Sequence, residues 1–238
     1  MPLNRIRNFA LVGHRGSGKT TLTEAMLTTS GVISRMGSIE QGNTVSDYHQ
    51  DEQKRKISIH ASITHTEWID KKLNIIDTPG YLDFISEALC ALRVVDFAIV
   101  TIDASSGIEV GTEQVWEYAT SFGLPKVIVV NGFDKENTDF ESMLAKIRAR
   151  WGNRVFPMNI PMNPGPGFNQ VLDVMRTEVV TYAKDQSGKF TETKAEGDWG
   201  ARVKALHKEL IEWVAEADDS LMEKFFESEG LSEDDLRG

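Results

Sequence analysis

Along the first part of the chain, short apolar runs are separated by amphipathic helical repeats. The apolar runs predict strands at residues 7–12, 72–76, 97–102 and 126–130. The repeats predict helices at residues 19–29, 82–94, 112–122 and 139–150, and Gly123-Leu124-Pro125 ends the third of them. Because strands and helices alternate, the pattern predicts an α/β fold with a mainly parallel sheet and helices on both faces.

Two segments depart from this simple alternation. From residue 57 onward, apolar residues alternate with polar ones, which predicts one longer strand over residues 57–68 that turns at Asp70-Lys71 into the next strand. Residues 31–53 are polar and contain several glycines, without a clear period. Long segments of this kind inside a compact domain are usually functional and mobile, so we expect a functional loop there.

A change of pattern follows the Pro- and Gly-rich stretch at residues 161–167. Beyond it, the sequence predicts short strands near residues 177–182 and 190–193 and two amphipathic helices near residues 201–217 and 220–229. This arrangement indicates a second, smaller unit that mixes strands and helices.

Composition limits the setting of the protein. The chain has 238 residues, of which 40% are hydrophobic, enough for one large domain with a sizeable core or for a domain with a small insert. Its single cysteine, Cys90, excludes a disulfide framework and fits a reducing cytoplasm. No apolar stretch is long enough to span a bilayer, and the first residues do not resemble a signal peptide. We therefore expect a cytoplasmic protein without a membrane partner.

The formal net charge of −10 is concentrated near the end of the chain. From Glu209 onward, 11 acidic residues stand against two basic ones, so the preceding part is close to neutral. Binding of DNA, or nonspecific binding of RNA, requires a basic face and is not expected. The basic triplet Lys54-Arg55-Lys56 is either a solvated loop or a local RNA contact.

One stretch carries a recognisable chemistry. It follows the apolar run Phe9-Ala10-Leu11-Val12, opens the first predicted helix and reads Gly13-His14-Arg15-Gly16-Ser17-Gly18-Lys19-Thr20, the spacing of a Walker A loop. Its glycines allow successive backbone amides to turn toward one point at the positive end of the helix, where phosphate fits. We expect Lys19 to reach the β and γ phosphates and the Thr20 hydroxyl to bind Mg2+.

Two later motifs extend the phosphate site to a guanine nucleotide site. Asp77-Thr78-Pro79-Gly80 follows a predicted strand, and there the carboxylate can bind Mg2+ through water while the Gly80 amide meets the γ-phosphate. Asn131-Gly132-Phe133-Asp134 follows another strand, and the Asp134 carboxylate can accept the paired N–H donors of guanine. Adenine lacks this donor pair, so the motif disfavours an ATP-dependent kinase built on the same loop.

With these motifs, the chain resembles the translational GTPases, and within them elongation factor G and its paralogues. The resemblance covers almost the whole chain and is carried by Gly13-His14, Gly18-Lys19-Thr20 and residues 52–59, 77–84, 131–134 and 157–198. It implies a P-loop GTPase core, expected at residues 1–160, and a small α+β insert subdomain, expected at residues 161–238. The insert is similar to the one carried by elongation factor G.

The resemblance also implies ligands, partner and site residues. It implies binding of GTP, GDP and Mg2+, GTP hydrolysis that is slow without a ribosome, and a monomer that acts on ribosomal RNA and the stalk protein. Ser58 takes the place of the family's switch-one threonine and is expected to bind Mg2+ with Thr20 and Asp77. The expected catalytic residues are Lys19, Gly80 and Tyr81. The expected nucleotide-binding residues are Gly13, His14, Arg15, Gly16, Ser17, Gly18, Lys19, Thr20, Thr21, Asp77, Gly80, Asn131 and Asp134.

The chain departs from the family pattern at several positions. Tyr81 occupies the position of the histidine that orients the attacking water. Gly16 replaces an aspartate of the phosphate loop, Lys56 replaces a glycine of switch one, and Gly132 replaces a lysine that packs on the base. A tyrosine cannot supply an imidazolium at physiological pH. These changes keep open a second function, a GTP-binding regulatory paralogue with little or no hydrolysis.

By family standards the chain also stops early. The loop that completes the guanine pocket, with its strand and closing helix, is expected to follow Gly238, and residues 232–235 resemble the first turn of a helix. We therefore expect the amino-terminal part of a longer factor, with loose nucleotide binding by this part alone.

Overall fold

The computed structural model describes residues 2–184, 188–216, 219–228, 231 and 235. Its contacts divide the chain into two compact units, Met1–Gly132 and Phe133–Gly238. The expected core at residues 1–160 and insert at residues 161–238 stay predictions. The helical turn expected at residues 232–235 lies outside the described residues, apart from Asp235.

The first unit is built on a five-stranded sheet of order β2-β3-β1-β4-β5. The strands are β1 Ile6–Val12, β2 Ser62–Trp68, β3 Lys71–Asp77, β4 Phe97–Asp103 and β5 Lys126–Asn131. β1 pairs in parallel with β3 and β4, β4 pairs in parallel with β5, and β2 is antiparallel to β3. The carboxyl ends of the parallel strands therefore share one edge of the sheet, the edge at which ligands bind in open α/β sheets.

Four α-helices belong to this unit. They are α1 Lys19–Thr29, α2 Gln50–Arg55, α3 Ile85–Leu92 and α4 Val110–Ser121. α1 has its predicted bounds, whereas α3 is shorter than predicted because Leu82–Phe84 form a separate 3-10 turn. Phe84, the last residue of this turn, departs from helical geometry with φ −111° and ψ 18°.

Apolar side chains cover both faces of this sheet, as the sequence predicts. Successive residues of a strand point to opposite faces. On one face, Ala10 and Val12 pack in a cluster with residues of α3 and α4, including Leu92 and Val115. On the other face, Phe9 and Leu11 pack in a second cluster with Leu22 and Met26 of α1, and with Ile75 and Ile99. Residues 9–12 of β1 are therefore buried on both faces, by α1 on one side and by α3 and α4 on the other.

The segment before β2 differs from the prediction. β2 begins at Ser62 and not at residue 57, because the preceding backbone amides of Ile59, His60 and Ala61 donate to glutamate side chains and not to a neighbouring strand. Residues 50–53, predicted as loop, form the first turn of α2. Lys56 ends α2 in the left-handed region, with φ 57°, at the position where the family has glycine.

In its described part, the second unit combines three helices with a four-stranded antiparallel sheet of order β6-β7-β8-β9. Its elements are α5 Phe140–Trp151, β6 Asn159–Pro161, β7 Gln170–Asp173, β8 Glu178–Tyr182, β9 Phe190–Lys194, α6 Gly197–Ala215 and α7 Asp219–Ser228. Its core contains Ile160, Leu172 and Val203. β6 and β7 were not predicted, because strands of three and four residues give too short a pattern. None of the described helices is long and apolar enough to cross a membrane.

Candidate functional site

The predicted phosphate loop connects the carboxyl end of β1 with the start of α1. Gly18 precedes the helix in the left-handed region, with φ 90°, and no described side chain caps the helix N-terminus. The first amides of an uncapped helix have no partner within the helix and carry its positive dipole end. This geometry suits a bound anion such as phosphate.

Asn131, at the carboxyl end of β5, packs against this loop. Its side-chain Nδ2 donates to the Ser17 carbonyl at 3.3 Å. A Cβ added to Gly18 would lie 2.0 Å from the same Nδ2, so only glycine fits beside Asn131. The structure therefore brings the start of the predicted guanine motif to the phosphate loop.

Lys19 points its ammonium group into the loop. Its Nζ donates to the carbonyls of Gly13 at 3.0 Å and of His14 at 2.9 Å, and the residue is only 6% exposed. Burial lowers the pKa of the Lys19 ammonium to about 8, while the charges of Asp77 and Asp47 act in the opposite direction. The group is thus a desolvated cation at the bottom of the loop.

Asp77 ends β3 at the same site and is also buried. None of the described groups makes a well-oriented hydrogen bond to either of its carboxylate oxygens, although the Thr20 and Ser46 hydroxyls are close enough to lower its pKa. Burial outweighs them and raises the pKa of Asp77 to about 6. A buried carboxylate without proper donors is a suitable ligand for a hard cation.

The hydroxyls of Thr20 and Ser58 complete this oxygen set. Thr20 Oγ1 and Ser58 Oγ lie 3.3 Å apart, although the residues belong to α1 and to the segment before β2. Hydroxyl and carboxylate oxygens are the ligand type that Mg2+ prefers. The three predicted metal ligands therefore lie at one place and fit Mg2+.

Gly80 and Tyr81 lie directly on the phosphate loop. A Cβ on Gly80 would lie 2.5 Å from Lys19 Nζ and 2.6 Å from the Arg15 backbone nitrogen, so glycine is required for this approach. The Tyr81 hydroxyl accepts a long hydrogen bond of 3.4 Å from Arg15 Nη1, and the guanidinium carbon lies 5.2 Å from the centre of the tyrosine ring. The hydrogen bond to Tyr81 raises the pKa of the exposed Arg15. Arg15 of the phosphate loop therefore contacts Tyr81, the residue expected in place of the family histidine.

His14 ties the loop to the start of α4. Its Nδ1 accepts a hydrogen bond from the Gly111 backbone N–H at 3.3 Å, and its Nε2 lies 3.4 Å from Glu109 Oε1. This pattern fits the neutral tautomer with the proton on Nε2. The side chain thus links the phosphate loop to the start of α4, and its role toward the nucleotide stays a prediction.

The remaining predicted residues have less distinctive surroundings. Gly16 and Thr21 are exposed, and a Cβ on Gly16 would meet no other atom within 4 Å. Asp134 belongs to the second unit, where it is exposed. Its role toward guanine stays a prediction.

Comparison with known proteins identifies the family. Residues 4–226 match the elongation factor Tu GTP binding domain. The chain belongs to this family. It is 35% identical over 235 residues to elongation factor G 2 of Syntrophus aciditrophicus (strain SB), a match that covers 98% of this chain and 35% of that protein.

A solved structure supports this family assignment. The chain superposes on a crystal structure of a protein from Thermus thermophilus with a TM-score of 0.88 and 33% identity, over 98% of this chain and 34% of that one. The chain thus spans about a third of the length of the relatives it matches. The P-loop GTPase fold, with an additional antiparallel sheet, and the resemblance to elongation factor G are confirmed.

Sequence reasoning missed several residues around this GTP-binding domain's phosphate site. Thr101 Oγ1 lies 2.6 Å from Oγ of Ser17, which was a predicted site residue, and the Thr78 hydroxyl donates to the Leu11 carbonyl at 2.6 Å. Asp47 is buried near Ser58, and burial raises its pKa. Glu24 of α1 is also buried, and its charge helps to raise the pKa of Asp47. Of these residues, only Glu24 had a signal in the sequence, since it follows Thr20 by one helical turn and lies on the same helix face.

Proposed function

We propose that this chain binds GTP and GDP together with Mg2+ and hydrolyses GTP slowly, as the nucleotide-binding part of an elongation factor G-like factor. In this proposal the factor works on the ribosome in the cytoplasm, as a monomer that contacts ribosomal RNA and the stalk protein. The observation that carries the proposal is the convergence of Lys19, Thr20, Ser58 and Asp77 at the uncapped start of α1.

Each residue has a defined task in this proposal. The amides of residues 13–21 hold the phosphates, and Lys19 exchanges its two carbonyl partners for the β and γ phosphates. Thr20, Ser58 and Asp77 hold Mg2+, which when bound neutralises charge on the phosphate oxygens. The Gly80 amide meets the γ-phosphate, and the Tyr81 hydroxyl orients a water molecule. Asn131 supports the loop, and Asp134 selects guanine.

Two measurements test this function: a comparison of nucleotide affinities, and the effect of a substitution in the phosphate loop. Fluorescent analogues of GTP, GDP and ATP are titrated against the protein with Mg2+ and with a chelator. We expect both guanine nucleotides to bind more tightly than ATP, and to bind more tightly with Mg2+ than with chelator. Lys19→Ala should weaken GTP binding by about 2–4 kcal/mol, because a desolvated charge-assisted contact is lost. Lys146→Ala, at an exposed position of α5, is the control for loss of a lysine.

Two results would contradict the assignment. If Lys19→Ala and the parent bind GTP with equal affinity, the assignment of the phosphate site is wrong. If the parent binds ATP and GTP with equal affinity, Asp134 does not select guanine. Single-turnover hydrolysis with and without ribosomes then separates a ribosome-stimulated GTPase from a regulator that hardly hydrolyses GTP.

A further inference from the structure

The segment that carries Ser58 is fixed by carboxylates and not by secondary structure. Residues 31–61 connect α1 with β2, and apart from α2 they form no helix or strand. Buried backbone N–H groups still need acceptors. Three glutamates supply them, one from each of three helices: Glu24 of α1, Glu52 of α2 and Glu87 of α3.

Glu24 holds the first part of the segment. The side chain is fully buried, and its Oε2 accepts from the Gly37 amide at 2.7 Å while Oε1 accepts from the Val45 amide at 2.5 Å. One carboxylate thus closes a loop whose two contact points are eight positions apart along the printed sequence. Charge-assisted hydrogen bonds of this kind are stronger than those between neutral groups.

Glu52 holds the part next to Ser58. It is 1% exposed, and its Oε1 accepts from the amides of Ile59 at 2.9 Å and His60 at 3.0 Å. Its Oε2 accepts from the His49 amide at 3.3 Å, and so it also closes the start of α2. The next amide, that of Ala61, donates to Glu87 Oε2 at 2.9 Å. The three residues that follow Ser58 are therefore all bound through their backbone.

This anchoring determines where the Ser58 hydroxyl points. Ser58 comes directly before the two amides that Glu52 binds, and its Oγ lies 3.3 Å from Thr20 Oγ1. We propose that Glu52 is a positioning residue, which holds the Ser58 hydroxyl beside Thr20 and thereby makes nucleotide binding depend on Mg2+. The proposal rests on the proposed function, because Ser58 and Thr20 are the hydroxyls expected to bind the metal.

The first test uses the unaltered protein and concerns the amides themselves. The amides of Ile59 and His60 lie outside the helices and strands, and the acceptor that the described residues offer to both is Glu52 Oε1. We expect NMR-detected hydrogen exchange at both amides to be at least about tenfold slower than at the exposed, unbonded loop amides of the same unit. Exchange as fast as at those amides would overturn the proposal, whether or not any variant folds.

The second test separates positioning from general support of the fold. Glu52→Ala removes both acceptor oxygens, whereas Glu52→Gln keeps one acceptor oxygen but loses the charge. Binding of a fluorescent GTP analogue is measured across a Mg2+ titration and again with chelator. We expect the Mg2+ concentration for half-maximal binding to rise about tenfold in Glu52→Ala and less in Glu52→Gln, with similar binding in chelator. Glu117→Gln, which removes an exposed charge on α4, should match the parent.

The outcomes separate failure of the positioning role of Glu52 from failure of the proposed GTP-binding function. If the parent binds no guanine nucleotide in a Mg2+-dependent way, the proposed function fails. If the parent binds as expected but both Glu52 variants keep its Mg2+ dependence, only the positioning role is refuted. Equal weakening with Mg2+ and with chelator would also refute it, since a purely structural role has that effect.

Discussion

At the scale of single residues, the contact between Arg15 and Tyr81 is the feature that most affects the expected chemistry. The Tyr81 hydroxyl and ring both face the Arg15 guanidinium, and the described residues place no carboxylate within ion-pair distance of that cation. A histidine at position 81 would place an imidazole beside this positive charge. Like charges disfavour the protonated form of an imidazole. The effects of changing Arg15 and Tyr81 on hydrolysis are therefore expected to depend on each other.

Tyr81→His alone should raise single-turnover GTP hydrolysis only modestly, because Arg15 opposes protonation of the new imidazole. Combining it with Arg15→Ile should raise the rate by more than the two single changes together, with a coupling energy of about 0.5–3 kcal/mol. Single-turnover assays of the full-length factor with ribosomes provide the four rates of the cycle. Tyr81→Phe, which keeps the ring and removes the hydroxyl, is the control. Additive effects would show that the contact has no role in hydrolysis.

At the scale of elements, the connection from β1 to α1 contains three glycines with positive φ, of which Gly16 and Gly18 differ in their surroundings. Gly16 has φ 75° and Gly18 has φ 90°. An added Cβ meets nothing within 4 Å at Gly16, whereas at Gly18 it would collide with the Asn131 amide. The pair therefore separates the cost of a strained backbone from the cost of a steric clash.

Gly16→Ala should lower the free energy of unfolding by about 1–2 kcal/mol, the cost of a left-handed alanine. Gly18→Ala should lower it by more, because it also displaces Asn131 from Ser17. Adding Asn131→Ala to Gly18→Ala should recover part of the difference, and adding it to Gly16→Ala should not. Urea unfolding followed by circular dichroism measures all four variants. The same loss for the two glycine variants would refute the clash.

At the scale of the whole molecule, the two units have separate cores. The sequence motifs of the phosphate site, apart from Phe133 and Asp134, all fall in the first unit, and Leu172 is a fully buried residue of the second. Large-to-small changes in a core remove buried surface and leave a cavity. Such a change should therefore first lower the stability of the unit that contains it.

Leu172→Ala should lower the stability of the second unit by about 2–5 kcal/mol. Hydrogen exchange should accelerate at the amides of β7 and β8 and remain close to the parent rate at β1 and β4. Mass spectrometry of exchanged peptides resolves the two sheets in one experiment. Equal acceleration in both sheets would show that the units unfold together.

Local sequence patterns were sufficient for the fold class, most helices and strands, and the phosphate loop. The bounds of α1 and the glycine spacing before it depend on interactions within a few residues, which periodicity and turn chemistry reveal. The predicted start of β2 at residue 57 was wrong for a physical reason. Alternating apolar residues indicate where a strand is compatible with burial, but not whether another group already occupies its backbone amides.

The sequence by itself determined an α/β domain with a phosphate loop, and its motifs indicated the family that the comparisons confirm. Only the tertiary structure decided what surrounds that loop. Arg15 meets Tyr81 across 66 positions and Asn131 meets Ser17 across 114. The carboxylates of Glu24, Glu52 and Glu87 find backbone amides that no local pattern assigns to them. Such contacts arise because a buried polar group without a partner is costly, and which partner is near in space depends on how the elements pack.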